Sequence, residues 1–157
     1  MHRRTPPPSP FVRRVFRRVV LVTLCVLVAL VGVLILADRI QVWTGLTALS
    51  SFLSHLAQIL SPLAIVAIAA GATAHLLAAG ESKRARTTPI SAILVAAIAP
   101  ATVLLFVASP KIDFLSAGML IAGSIGIVAL LGQIGVWLGT YCFTVSRRSA
   151  AGPSPLA

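Results

Sequence analysis

Long apolar stretches alternate with short polar ones along the chain, at a spacing too wide for the core of a water-soluble domain. Val19–Ala37, Ile90–Ala108 and Ala117–Phe143 carry no formally charged side chain, and each is at least 19 residues long. A helix needs about 20 such residues to cross roughly 30 Å of hydrocarbon, so each reads as a spanning helix. A fourth run, Leu63–Ala79, has 17 residues and contains His75; extended back to Ile59 it reaches spanning length. The pattern predicts an all-α, polytopic membrane protein: a four-transmembrane-helix bundle with spans at about 19–37, 59–79, 90–108 and 117–143.

The stretch Gln41–Pro62, "QVWTGLTALSSFLSHLAQILSP", fits this less simply, being uncharged apart from His55 yet less apolar than its neighbours. Leu46, Leu49, Leu53, Leu56 and Leu60 recur every three or four residues, with Ser and Thr mostly between them, which is the period of a helix with one apolar stripe. The stripe predicts an extracytoplasmic amphipathic helix over about 42–58, between spans 1 and 2 and packed over the bundle. A re-entrant or tilted segment and a true fifth span are the alternatives.

Composition agrees with the hydropathy. Apolar residues make up 58% of the chain and charged residues 10%, with a mean hydropathy of +1.01, too little charge to cover a water-facing surface. A net charge of +10 would point to nucleic acid in a soluble protein, but here it has a topological meaning. Arg3, Arg4, Arg13, Arg14, Arg17 and Arg18 precede span 1; Lys83, Arg84 and Arg86 lie between spans 2 and 3; Arg147 and Arg148 follow span 4. Eleven of the thirteen basic residues thus share one side of a four-span chain, leaving Arg39 and Lys111 on the other. Short loops rich in Lys and Arg stay cytoplasmic, so both termini are expected in the cytoplasm. A fifth span would carry Lys83–Arg86 outside, against that rule.

The apolar run after the first arginines is longer than a signal-peptide core and has no A-x-A cleavage site, so it reads as a retained anchor. High Ala, Arg and Pro content points to a GC-rich bacterial gene and hence to the bacterial cytoplasmic (inner) membrane. Residues 1–14 read as a flexible basic, proline-rich cytoplasmic terminus, 15–145 as the membrane domain, and 146–157 as a flexible cytoplasmic tail. In "FVRRVFRRVV", Arg13, Arg14, Arg17 and Arg18 are placed to reach anionic lipid head groups.

The chemistry within the spans is sparse. Thr23, Cys25, Thr73, His75, Thr102, Ser124, Gln133 and Thr140 are the polar residues there, with no Asp, Glu, Lys or Arg at mid-depth. That removes the carboxylate relay on which many ion-coupled transporters depend. Cys25 and Cys142 form no C-x-x-C pair, and no phosphate-binding, nucleophile-elbow or H-E-x-x-H motif occurs. The chain therefore reads as non-catalytic, with no cofactor predicted and room left for a bound phospholipid. His75 is the one candidate ligand for haem iron or another metal; a hydrogen-bonded interfacial histidine is the simpler reading.

Packing signals are stronger. Ala67, Gly71 and Ala74 set small residues four apart or nearly so in span 2, and Gly132, Gly135 and Gly139 do so in span 4, where "GVWLG" is a G-x-x-x-G motif suited to close helix contact. Gln133 needs a hydrogen-bonding neighbour in hydrocarbon. Ser124 and Thr140 can satisfy their hydroxyls on the preceding turn, and Pro100 predicts a bend in span 3.

In length and hydropathy layout the chain resembles small four-span proteins such as phage holins and accessory subunits of respiratory or transport complexes, a likeness that assigns no individual residue a role. The reading that fits best is a non-catalytic integral accessory or scaffold subunit of a larger bacterial membrane complex, with other integral membrane subunits and anionic lipid head groups as partners and no nucleic acid. A self-assembling holin-like or channel-like permeability protein is the first alternative. A small-solute carrier or redox-coupled subunit using His75, Gln133 or the Pro100 bend is the second.

Overall fold

A computed structural model describes residues 8–108 and 114–150, and the side chains of these except positions 99–101, 103–108, 114, 115, 117 and 148. It contains helices α1 (Pro10–Thr44), α2 (Thr47–Ala78), α3 (Thr87–Ala108) and α4 (Phe114–Ala150), and no strand among the described residues. Three of them, α1, α2 and the Gly118–Arg147 portion of α4, are long and apolar enough to cross a membrane. The apolar part of α3 whose side chains are described, Thr87–Ile98, is shorter.

Local chemistry sets the helix ends. At the start of α1, the Ser9 hydroxyl accepts from the Val12 N–H at 3.3 Å, and Pro10 occupies the first turn, where its missing N–H is no loss. α1 ends at Gly45, whose φ of 67° lets its N–H turn back to the Gln41 carbonyl. Only glycine adopts this left-handed cap without strain. Two residues later α2 begins. It closes with a Schellman motif in which the Gly80 N–H reaches the Leu77 carbonyl and the Glu81 N–H the Leu76 carbonyl, Gly80 again having positive φ. A helical turn over Glu81–Ala85 then leads into α3 through the Thr88 N–H to Arg84 carbonyl bond.

Pro62 lies inside α2. A proline there removes the bond that the carbonyl four residues back, Gln58, would accept. The Ser61 hydroxyl donates to that carbonyl at 3.3 Å, so the freed acceptor is satisfied within the helix, as apolar surroundings require.

α1 and α2 form a long antiparallel hairpin. Near its turn the Ser50 hydroxyl donates to Gln41 Oε1 at 3.1 Å; at the far end the Ser9 hydroxyl donates to Glu81 Oε1 at 2.9 Å. α4 packs most extensively on α2, α1 on α2 and α3, and α3 on α4. Around the bundle the order is α1, α2, α4, α3, and α1 does not meet α4 among the described residues.

This arrangement corrects several sequence expectations. No separate extracytoplasmic helix exists over 42–58: residues 42–44 finish α1, and residues 47–58 are the first third of a continuous α2. With the hairpin in register at both ends, Val19–Ala37 lies opposite roughly residues 54–72 of α2. The leucine stripe faces outward. Leu46, Leu49, Leu56 and Leu60 are exposed, while Ser50 and Ala57 are buried against the bundle. The period of three to four residues holds along the helix, and it is the small and polar face that turns inward, where small side chains let helices approach closely. Helix extends into both stretches assigned to the ends, since α1 takes in residues 10–14 and α4 runs to Ala150. Residues 1–7 and 151–157 lie outside the described set.

Candidate functional site

Two features carry the chemistry that the chain offers. The first is a groove of about 790 Å³ at the arginine-rich end, between α1 and α3. Arg13 and Arg17 line it from α1, one helical turn apart, Arg84 from the α2–α3 turn, and Thr87 and Thr88 from the start of α3. Val12 and Phe16 line the same end beside the arginines, and farther along the walls the lining is apolar only, with Val20 on α1 and Val95 on α3. The two helices run in the same direction, so the groove passes from cationic to greasy as it enters the bundle. Arg13 Nε donates to the Pro8 carbonyl at 3.4 Å, which draws that side chain along the rim. Arg14 and Arg18, grouped with these residues by sequence, are exposed on α1 but are not part of the lining.

The second feature is the outer face of α4. Gln133 is exposed there, one turn from Trp137, whose ring stacks on Tyr141 at 6.0 Å and 15°. Among the described residues nothing hydrogen-bonds the Gln133 amide. Around it Leu130, Ile134 and Trp137 point outward, and Gly123 and Gly126 face open space. The hydrogen-bonding neighbour that the sequence calls for at Gln133 is not found among the described residues of the bundle.

The opposite face of α4 is closed. A Cβ on Gly135 would stand 2.5 Å from Ala69 Cβ and 2.6 Å from the Val66 carbonyl oxygen. One on Gly139 would stand 2.9 Å from Ala70 Cα and closer still to its carbonyl oxygen. The G-x-x-x-G pair is thus where the backbones of α2 and α4 meet. Gly132 makes ordinary contact with Ile90 of α3. On α2 the contact runs through Ala69 and Ala70; Ala67 and Gly71 face outward, and Ala74 is half-buried. Spacing alone cannot tell these registers apart, because alanine or glycine fills six of the eight positions from Ala67 to Ala74.

His75 is exposed at the arginine-rich end, its ring 5.5 Å from that of Phe11. His55 lies about 30 Å away along the same helix and bonds the Ser51 carbonyl through Nδ1 at 2.7 Å. Among the described residues no three His, Cys, Asp or Glu side chains come together as a metal site. Cys25 and Cys142 are free and exposed. The hydroxyls of Ser124 and Thr140 each donate to the carbonyl four residues back at 2.8 Å, as their sequence context predicted. α3 is helical on both sides of position 100, but the Pro100 side chain lies outside the described set.

No family model, no curated protein and no solved structure matches this chain.

Proposed function

We propose that the protein is a non-catalytic subunit that crosses a bacterial inner membrane four times and holds other integral membrane chains through the outer face of α4. Gln133 carries this reading. An amide in hydrocarbon without a partner costs roughly 2–7 kcal/mol, and this one stands among apolar side chains with nothing to bond among the described residues. A helix from a second protein would complete it, approaching closely over Gly123 and Gly126. α3, with 22 residues, is about 33 Å long and supplies the fourth crossing. The arginine-rich end then faces the cytoplasm with both termini, and Trp43, exposed at the other end, sits near the outer head groups.

The test is mild extraction with a photocrosslinking amino acid at position 133, followed by mass spectrometry of what is attached. A specific membrane chain recovered from position 133, and not from a control position on the buried face such as Val136, is expected. Recovery of the unlinked monomer alone would remove the proposal. Links only between copies of this chain would move it to self-assembly, since an amide can donate and accept across a two-fold axis. Topology is checked separately by cysteine labelling of intact cells in a Cys25→Ser, Cys142→Ser background, where Lys83→Cys is expected to stay unreactive from outside.

A further inference from the structure

We infer that the groove between α1 and α3 is a binding site for one anionic phospholipid, with its phosphate at Arg13, Arg17 and Arg84 and an acyl chain laid along Phe16, Val20 and Val95. The inference rests on the membrane placement above and not on what binds α4.

The order of chemistry along the groove carries it. Guanidinium groups are suited to phosphate because their planar N–H donors bond its oxygens in pairs. The hydroxyls of Thr87 and Thr88 add further donors at the same level. No carboxylate is among the described residues that line the groove. A free phosphate or a nucleotide would leave the apolar half of the groove facing nothing it can use. A zwitterionic lipid would bring a cation to a site already holding three. An anionic lipid matches both halves, and the volume lies within the roughly 300–1,000 Å³ typical of pockets for small organic ligands. The groove also opens at the level where head groups would stand: Trp137 and Tyr141 on α4, rings that favour the interface, lie near the same end of the bundle as Arg17.

Native mass spectrometry of the full chain, released from nanodiscs containing equal phosphatidylglycerol and phosphatidylcholine, tests this. One phosphatidylglycerol per chain should be retained preferentially. Arg13→Gln with Arg17→Gln should lower that retention roughly ten-fold, the scale of losing one or two charge-assisted bonds. Arg14→Gln with Arg18→Gln removes the same charge from the same helix but not from the groove, and should leave retention within roughly two-fold, as screened surface charges do. Val95→Trp, which fills the apolar end without altering charge, should also displace the lipid. Equal loss from the two arginine doubles would mean general attraction to anionic surfaces and would overturn the site. So would equal retention of the two lipids, competition by inorganic phosphate alone, or an unaffected Val95→Trp. Far-UV circular dichroism confirms that each variant is helical before it is scored.

Discussion

At the arginine-rich end Val12, Val15 and Val19 of α1 are buried with Ile65, Ala69 and Leu76 of α2 and with Ala92 and Ile93 of α3. At the other end, α1 beyond Thr23 buries only Ala37, and α2 before Ile65 buries only Ser50 and Ala57. The first half of α4 is similar, with Met119, Leu120, Ala122, Gly123 and Gly126 all exposed. One end of the bundle is thus closed by its own side chains, and the other presents apolar and small residues outward. Bulk hydrophobicity does not separate the two, since both are apolar. They differ in where small residues lie. Gly135 and Gly139 meet α2, whereas Gly123 and Gly126 meet open space.

Substitutions that add volume should break this contrast most sharply. Gly139→Val forces side-chain atoms into the Ala70 backbone, which cannot yield as a flexible side chain would. A loss of about 3 kcal/mol, the upper end of overpacking penalties, is expected, read as a large fall in the melting temperature of the detergent-solubilised chain. Gly123→Ala adds its methyl to open space and replaces a poor helix former, so it should stabilise by about 0.5 kcal/mol. If the two variants melt together, the α2–α4 contact is not what holds the packed end.

Removing volume is the next test. Leu76 is 0% exposed and Leu120 is 55% exposed. Leu76→Ala should cost about 2–3 kcal/mol through lost contacts and a residual cavity, while Leu120→Ala should stay within about 0.5 kcal/mol. Limited proteolysis in detergent gives an independent readout, with the Leu76 variant cut first near the Gly80 turn.

A smaller effect is expected at the cap. Ser9 both accepts from the Val12 N–H and donates to Glu81, tying the start of α1 to the α2–α3 turn. Ser9→Ala should cost about 1 kcal/mol. Ser124→Ala, on the open end, removes only a hydroxyl that bonds its own helix and should change nothing measurable.

The same contrast explains how much of the molecule was legible in the sequence. The helical, membrane-suited character followed from run length, and the importance of Gly135 and Gly139 from their spacing, because close backbone approach admits few residue types. The hairpin turn is not legible in hydropathy, where the fall over Gln41–Pro62 resembles a separate helix; its signal is Gly45, the one glycine between Gly32 and Gly71, suited to a left-handed cap. The period of the leucine stripe is legible in the sequence, but which face of the helix turns to the bundle is not, because periodicity gives the two faces without saying which one packs. The groove was half visible: four arginines were singled out, but which two face α3 depends on helix rotation, and Arg84 joins them only through the α2–α3 turn.

Thr23 marks the boundary between the two ends and gives the finest test of it. It is the last residue of the continuous buried face of α1, 1% exposed, and its hydroxyl oxygen is buried without a hydrogen-bond partner. Thr73, equally buried on α2, donates to the Ala69 carbonyl at 2.8 Å. Both have nearly the shape of valine, so Thr→Val isolates the hydroxyl from the packing. At position 73 the change removes a made bond and should destabilise by about 1 kcal/mol; at position 23 it removes an unsatisfied group and should stabilise by a similar amount. Opposite signs in the thermal melts would show that the packed end closes at Thr23 tightly enough to strand a polar group. The same sign at both positions would mean that the hydroxyl at 23 finds a partner, and that the closed region extends less far along α1.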